Sequence, residues 1–389
     1  MKVYVTGIGV VSAIGMNAAE NLQALQAGTS GIGASALHSL MLGDVKLSNE
    51  EIIDHLDLEK GYDYSRTTLL SLIAAKEAWG TNGHCTDVRT GLISSTSIGG
   101  LDRTEKYHFS HQEDHLSSHY HLMVHDNGRT TEKLAAALGI SGYIGTISTA
   151  CSSGANAIMQ GARMIEGNIL DRVVVGGADP IALFNIKGFS SLNIYDHEIC
   201  KPFDENRKGL NLGEGAGFLV LESEKSLSIT GNKSLCLLSG WDNATDAFHQ
   251  TASSPTGKGA ALAMVNALKK AGIDAAEINY VNAHGTGTGN NDLSESTALQ
   301  QVFGNGMPPF SSTKGFTGHT LAAAGAIEAV YCVQAIQEQA MFPNINFTTA
   351  MKETGLKPLT SFASGQVVHV LSNSFGFGGN CTCLIFSKA

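Results

Sequence analysis

The chain has 389 residues, 43% of them apolar, and carries 35 acidic against 25 basic side chains for a formal net charge of −10. That length suits two domains or one large α/β unit with a shared core. The acidic balance speaks against general nucleic-acid binding, which needs a broad basic surface, and no apolar run reaches the ~18 residues of a spanning helix, so no membrane insertion is expected.

The first residues, Met1-Lys2-Val3-Tyr4-Val5-Thr6-Gly7, read directly as a strand over Lys2–Thr6. No charged region, apolar region and cleavage site follow one another there, so a cytoplasmic protein is expected. Further strand-like runs are Thr90–Ser94, Gly145–Ser148, Arg172–Gly176, Phe218–Leu221, Leu235–Ser239, Ile278–Asn282, Val367–Leu371 and Thr382–Phe386. Helical patterns fall between them at Arg66–Trp79, Thr130–Leu138, Asn156–Glu166, Lys258–Ala271, Leu293–Val302 and Leu321–Gln337. Such alternation predicts a layered α/β architecture. A faint internal echo links Gly215–Leu221 with Gly379–Ile385, both small residues running into a strand. The seven cysteines are odd in number and scattered, which reads as reduced thiols and not a disulfide framework. Cys381 and Cys383 alternate along a strand and have no second Cys/His pair nearby, so they read as packing residues.

The most informative stretch is Thr149-Ala150-Cys151-Ser152-Ser153-Gly154. An apolar run leads in and a helical pattern leads out, placing the Cys151 thiol on a strand-to-helix turn. Amide groups at a helix start carry partial positive charge, which predicts a lowered thiol pKa and a nucleophile able to form a thioester. Two histidines lie in glycine-rich turns after short strands: His284 in Asn282-Ala283-His284-Gly285-Thr286-Gly287, and His319 in Thr313-Lys314-Gly315-Phe316-Thr317-Gly318-His319. Strand ends are where open α/β sheets place their sites. One thiol and two imidazoles make a nucleophile plus two proton-handling or charge-stabilising groups. The C-terminal Asn373-Ser374-Phe375-Gly376-Phe377-Gly378-Gly379-Asn380 adds a loop whose amides can face a developing oxyanion.

TACSSG, NAHGTGTGNND, SSTKGFTGHTLAAAGAIE and NSFGFGGN, in that order, resemble the β-ketoacyl–acyl carrier protein synthases, the elongating condensing enzymes with one Cys and two His. The segments KVYVTGIGVVSAIG, KPFDENRKGLNLGEGAGFLVLE and DAFHQTASSP match the same family, so the resemblance covers nearly the whole chain. It implies a thiolase-like fold of five layers, α-β-α-β-α, in two related halves. These are taken as 1–228, carrying Cys151, and 229–389, carrying His284 and His319. The Cys151 helix would lie in the middle layer.

The implied reaction is decarboxylative Claisen condensation of malonyl-ACP with a Cys151-bound acyl chain. His284 and His319 would donate hydrogen bonds to the enolate. The amides of Cys151 and Phe377 would form the oxyanion hole, and Phe377 would gate the acyl pocket, with Asp246–Pro255 as a second moving loop. Lys314, Glu328 and Asp292 would support the histidines. Glu328 sits among small apolar residues on the predicted helix, which suits a buried partner for Lys314. No metal or organic cofactor is required; the phosphopantetheine arrives on the acyl carrier protein substrate. The partners implied are acyl carrier protein, acyl and malonyl thioesters, and a second subunit, as a homodimer or a heterodimer.

An acidic enzyme with an acidic carrier needs a local basic patch. Lys201, Arg207 and Lys208 cluster, and Arg207 and Lys208 are the expected docking contacts; Lys60 and Arg66 form a thinner group. The segment Leu101–Gly128 departs most from the family and holds His108, His111, His115, His119, His121 and His125. His111, His115 and His119 would share a helical face, yet with only Asp114 and Asp126 in reach no metal site is expected. Acyl-chain length and pathway, housekeeping or specialised such as polyene synthesis, stay open. A degradative thiolase would need a second catalytic cysteine, an initiating synthase an Asn in place of one His, and a non-catalytic chain-length partner would lack the nucleophile.

Overall fold

The computed structural model describes residues 1–35, 39–60, 64–80, 83, 85–110 and 123–389. His111, His115, His119, His121 and Asp114 lie outside the described residues. Ten strands form the main sheet: β1 (Val3–Val11), β2 (Thr90–Ser95), β3 (Ile144–Ile147), β4 (Arg172–Asp179), β5 (Gly215–Ser223), β6 (Cys236–Thr245), β7 (Tyr280–Asn282), β8 (Phe310–Ser311), β9 (His369–Gly376) and β10 (Asn380–Ser387). The helices are α1 (Ala18–Ala27), α2 (Asn49–His55), α3 (Arg66–Trp79), α4 (Leu101–Ser110), α5 (Asn127–Leu138), α6 (Ser153–Glu166), α7 (Leu183–Ser191), α8 (Glu224–Thr230), α9 (Lys258–Ala271), α10 (Gly289–Phe303), α11 (Lys314–Thr317) and α12 (Ala324–Glu338).

The spatial order is β8-β7-β9-β10-β6-β1-β5-β4-β2-β3. The two groups of five strands are joined in the sheet through Val3–Val5 of β1 against Leu238–Cys236 of β6. Numbering each group from its own first strand gives the same order, 3-2-4-5-1, in both. The pairing senses agree as well. In each group the first strand is antiparallel to the fifth and the fifth antiparallel to the fourth. The fourth is parallel to the second and the second parallel to the third. Gly215–Leu221 and Gly379–Ile385 fall on β5 and β10, the fifth strand of each group. The sequence echo therefore marks equivalent strands of two related halves.

Helices α6 and α12 lie between the two groups of strands and touch both, while α3 and α5 cover the outside of the first and α9 the outside of the second. This is the five-layered α-β-α-β-α thiolase-like fold. The two central helices are buried because they are apolar or small almost all round, a pattern that leaves no face for water. Every residue of α12 from Ala324 to Ile336 is buried. Gly154 on α6 allows the close approach: a Cβ there would sit 2.8 Å from the Ala322 carbonyl oxygen. The predicted strands and helices are found with shifted ends. α6 starts at Ser153 and not Asn156, and the helix expected from Leu321 begins with a 3-10 turn over Leu321–Ala323 before α12. The bounds move because caps and turn residues, not apolar periodicity, set them.

Candidate active site

The chain leaves β3 at Ile147 and turns sharply. Thr149 and Cys151 pair as an isolated bridge. Ala150 between them has φ of 52°, a left-handed conformation that costs a residue with a Cβ and persists only when its surroundings hold it. Ser153 supplies that hold: its Oγ accepts from the Thr149 amide at 2.8 Å and donates to the Ala150 carbonyl at 2.6 Å. The turn delivers the Cys151 thiol, itself 5% exposed, to the head of α6. Burial pushes this thiol up to about 12, against the smaller opposing pull of the Lys314 charge and the Phe377 amide. The expected lowering is thus reversed. The amide groups at the helix start are present, but the loss of water around a buried thiolate outweighs them.

His284 follows β7 and His319 follows α11, both buried to 2% exposure. Their rings meet edge to face, with centroids 5.3 Å apart and an interplanar angle of 85°. The partners of each Nδ1 fix the tautomers. The Lys314 Nζ lies 3.3 Å from His284 Nδ1, and the Leu321 amide lies 3.3 Å from His319 Nδ1. An ammonium and a backbone N–H can only donate, so both Nδ1 atoms accept and both protons sit on Nε2. Burial, then the Lys314 charge, holds both imidazoles well below the usual histidine range. The site therefore holds two neutral rings, each with an Nε2–H to donate.

The carboxylates behind the rings divide the positioning between them. Lys314 Nζ also donates to the His284 carbonyl at 2.5 Å and to Glu328 Oε1 at 2.5 Å, an ion pair almost fully buried. The expected Lys314–Glu328 partnership is therefore present, and burial raises Glu328 to about 7. Asp292 accepts from the amides of Phe203 at 2.7 Å and Gly287 at 3.2 Å, shaping the loop beyond His284 without touching its ring. Two further carboxylates are absent from the sequence-based expectations. Glu295 accepts from the His284 amide at 2.9 Å and the Gly285 amide at 2.7 Å. Asp179 accepts from Thr96 Oγ1 at 2.6 Å and the Ala322 amide at 2.8 Å, pinning the turn after His319. A signal existed for both: Glu295 lies one turn beyond Asp292 on α10, and Asp179 closes β4 at the strand end where sites gather.

Cys151, His284 and His319 line one cavity of ≈ 140 Å³ together with Phe375, Phe377 and Phe189. The Phe377 ring stacks on Phe189 of α7 at 5.6 Å and 21°. Gly378 and Gly379 have φ of 86° and 85°, so the loop after Phe377 needs glycine. The loop following β6 clasps it: the Gly378 amide donates to the Gln250 carbonyl at 2.8 Å and the Asp246 amide to the Gly379 carbonyl at 2.7 Å.

The basic cluster is less free than its sequence suggests. Arg207 donates to the carbonyls of Thr288 at 3.3 Å, Asp204 at 3.0 Å and Gly289 at 2.9 Å, tying down the cavity mouth. Lys201 pairs with Glu198 at 2.6 Å, while Lys208 is exposed and only 4.0 Å from the same carboxylate. Lys60 pairs with Asp54, and Arg66 is engaged with Glu214, so that second group is no basic patch.

A thiol from one half of a doubled topology, meeting two proton-bearing imidazoles from the other, is the arrangement of the thiolase-like condensing enzymes. Residues 1–226 match the β-ketoacyl synthase N-terminal domain and residues 235–348 the β-ketoacyl synthase C-terminal domain. The chain belongs to the β-ketoacyl synthase family, and it is an acyl-transferring condensing enzyme. It is 32% identical to the 3-oxoacyl-[acyl-carrier-protein] synthase 2 of Staphylococcus aureus over 409 residues, covering 100% of this chain and 98% of that protein. The ishigamide ketosynthase/chain length factor structure superposes with a TM-score of 0.91 at 28% identity, covering 100% of this chain and 99% of the other. A ketosynthase in complex with its chain length factor, from Xenorhabdus doucetiae, matches with a TM-score of 0.85 at 34% identity, covering 100% and 98%.

Proposed function

We propose that the chain condenses malonyl-ACP, with loss of CO₂, onto an acyl chain held as a thioester on Cys151. In the first half-reaction the Cys151 sulfur attacks the carrier thioester; its S–C bond forms, the pantetheine C–S bond breaks, and the thiol proton passes to the departing sulfur. In the second, the malonyl C–CO₂ bond breaks and its electron pair is held as an enolate, with Nε2–H donors of His284 and His319 facing the oxygen. The carbanion carbon then bonds to the acyl carbonyl and the Cys151 sulfur leaves, restoring the thiol with a proton from solvent. The amides of Cys151 and Phe377 stabilise the oxyanion. Decarboxylation supplies the carbanion, so this reading calls for no metal or organic cofactor. Lys314, Glu328 and Asp292 act through the histidines and their loops.

The observation that carries this reading is the convergence of Cys151, His284 and His319 on one cavity. Mass spectrometry after incubation with acylated acyl carrier protein tests it. An acyl adduct on Cys151, absent from Cys151→Ser, is the expected result; unmodified Cys151 would overturn the reading. The alternative of a non-catalytic chain-length subunit loses force because the thiol and its surrounding turn are intact.

Acyl carrier protein is the partner in this reading, with Lys208 as an exposed contact and Arg207 shaping the mouth. A second subunit would pair along β3, an edge strand with Ile144 exposed at 42%. That subunit is a second copy or a chain length factor such as the Xenorhabdus ketosynthase carries. The halves are read as 1–228 and 229–389, with the junction in the connection through α8. The seven free thiols support a reducing, cytoplasmic setting.

A further inference from the structure

The loop that carries Phe377 and the turn that carries Cys151 are locked together by one side chain. Asn380 begins β10, three residues beyond Phe377. Its Oδ1 accepts from Ser152 Oγ at 2.7 Å, Asn156 Nδ2 at 2.8 Å, Asn243 Nδ2 at 2.8 Å and Thr382 Oγ1 at 3.2 Å. Those donors come from four places: the residue after the nucleophile, the first turn of α6, β6 before the Asp246–Pro255 loop, and β10 itself. Asn156 Nδ2 reaches on to Thr149 Oγ1 at 2.8 Å, on the other side of Cys151. The backbones are pressed equally close, since a Cβ on Gly376 would lie 2.6 Å from the Thr149 carbonyl oxygen and 3.0 Å from Ser152 Oγ.

We propose that Asn380 is a positioning residue that couples the Phe377 loop to the Cys151 turn, so that the thiol is aligned for acyl transfer only while that loop is seated. The physical reason is the sharing of one acceptor. A carbonyl oxygen that draws donors from the Cys151 turn, α6 and β6 in a half-buried site is costly to vacate, because the network loses its common acceptor at once. Any displacement of Gly376–Asn380 withdraws that oxygen from Ser152 and Asn156 together. Ser152 and, through Asn156, Thr149 then lose their tie to the loop on either side of Cys151. This inference rests on the reading of Cys151 as the acyl acceptor.

The test separates the two half-reactions in the full-length protein. Acylation of Cys151 is followed by mass spectrometry with acylated acyl carrier protein, and malonyl-thioester decarboxylation by CO₂ release. Asn380→Ala slows acylation about tenfold while decarboxylation, which uses the two histidines, stays within about twofold. Equal loss of both activities marks a merely structural role and overturns the proposal, as does unchanged acylation. Ser152→Ala provides a second, milder variant, and the pair forms a double-mutant cycle: the double variant acylates no more slowly than Asn380→Ala alone, whereas multiplying effects overturn the coupling. Failure of the wild-type protein to acylate at all would instead sink the underlying functional reading, a distinguishable result.

Discussion

Lys314 Nζ lies 3.3 Å from His284 Nδ1 and so dictates which nitrogen of that ring carries the proton. The Leu321 amide imposes the same choice on His319. Both rings are held well below the ordinary histidine range by burial and the Lys314 charge. The neutral rings are the species with Nδ1 free to accept and Nε2–H free to donate. Malonyl-thioester decarboxylation is therefore expected to be flat in pH from about 6 to 8 and to fall only at lower pH, as the imidazoles finally protonate. A pH–rate profile checks this; a drop centred near 6.5 would contradict the assigned tautomers. Replacing either histidine by Ala should cost about 10²-fold in decarboxylation, the scale of one lost donor to a developing oxyanion.

The Lys314–Glu328 pair predicts a stability effect distinct from its effect on the histidines. Both side chains are buried, 2% and 3% exposed. Removing one partner leaves an uncompensated charge. Glu328→Ala should lower stability to chemical denaturation by about 3–5 kcal/mol, whereas Lys314→Met with Glu328→Leu should be near neutral for stability but inactive in decarboxylation. Recovery of stability without recovery of activity would separate the two roles.

Much of this arrangement is legible in the sequence. Cys151 and His284 stand out because each sits in a small-residue turn beside a strand, and His319 because it closes a glycine-rich segment, although a short helix and not a strand precedes it; the Lys314–Glu328 pair follows from a carboxylate stranded in an alanine-rich helix. The equivalence of β5 and β10 shows in their shared run of small residues. What stayed hidden depends on tertiary surroundings. The rise of the Cys151 thiol comes from depth of burial, which no local spacing reports. Glu295 and Asp179 bind backbone amides, and a carboxylate that serves a backbone leaves no motif. Arg207 reads from sequence as a docking contact, while its carbonyl partners at Thr288 and Gly289 lie 81 and 82 positions away.

Glu295 carries its own pH signature. Burial raises it to about 7 from an ordinary value of 4.5, so the folded protein binds this proton more tightly than the unfolded chain. Its contribution makes stability fall as pH climbs through that window, by on the order of 3 kcal/mol at most. Denaturation midpoints measured from pH 4.5 to 7 should show a shallower decline in Glu295→Gln. The same variant loses one of the two amide contacts at His284 and Gly285 and should be less active at every pH.

The thiol predicts the opposite slope for chemistry. With Cys151 held at about 12, thiolate is scarce at neutral pH. Alkylation by iodoacetamide should rise about tenfold per pH unit between 7 and 9 without a plateau. Lys314→Met removes a charge that favours the thiolate and should lower the rate throughout. A plateau near pH 8 would mean the helix terminus outweighs burial after all.

Phe377 stacks on Phe189, so the cavity that holds Cys151 is bordered by two rings from opposite halves of the chain. Truncating either ring removes about 0.5–1.5 kcal/mol of stacking and opens the space beyond it. Phe377→Ala should change the range of acyl lengths loaded onto Cys151, and Phe189→Ala should shift it in the same direction; competition between acyl carrier proteins bearing short and long chains, read by mass spectrometry, checks both. An unchanged preference in the two variants would reject the gate.

Carrier docking separates Lys208 from Arg207, which the sequence pairs. Lys208 is exposed and only loosely held by Glu198, so Lys208→Glu should raise KM for malonyl-ACP severalfold, more at low salt, while sparing a malonyl-pantetheine mimic. Arg207 anchors the carbonyls of Thr288 and Gly289 at the mouth. Arg207→Glu should therefore impair both substrates, because it loosens the cavity mouth itself as well as any contact with the carrier. Steady-state kinetics with the two substrates distinguishes the cases. Equal damage to both substrates by Lys208→Glu would remove this lysine from the docking surface, since a contact made only with the carrier protein has nothing to lose when the carrier is absent.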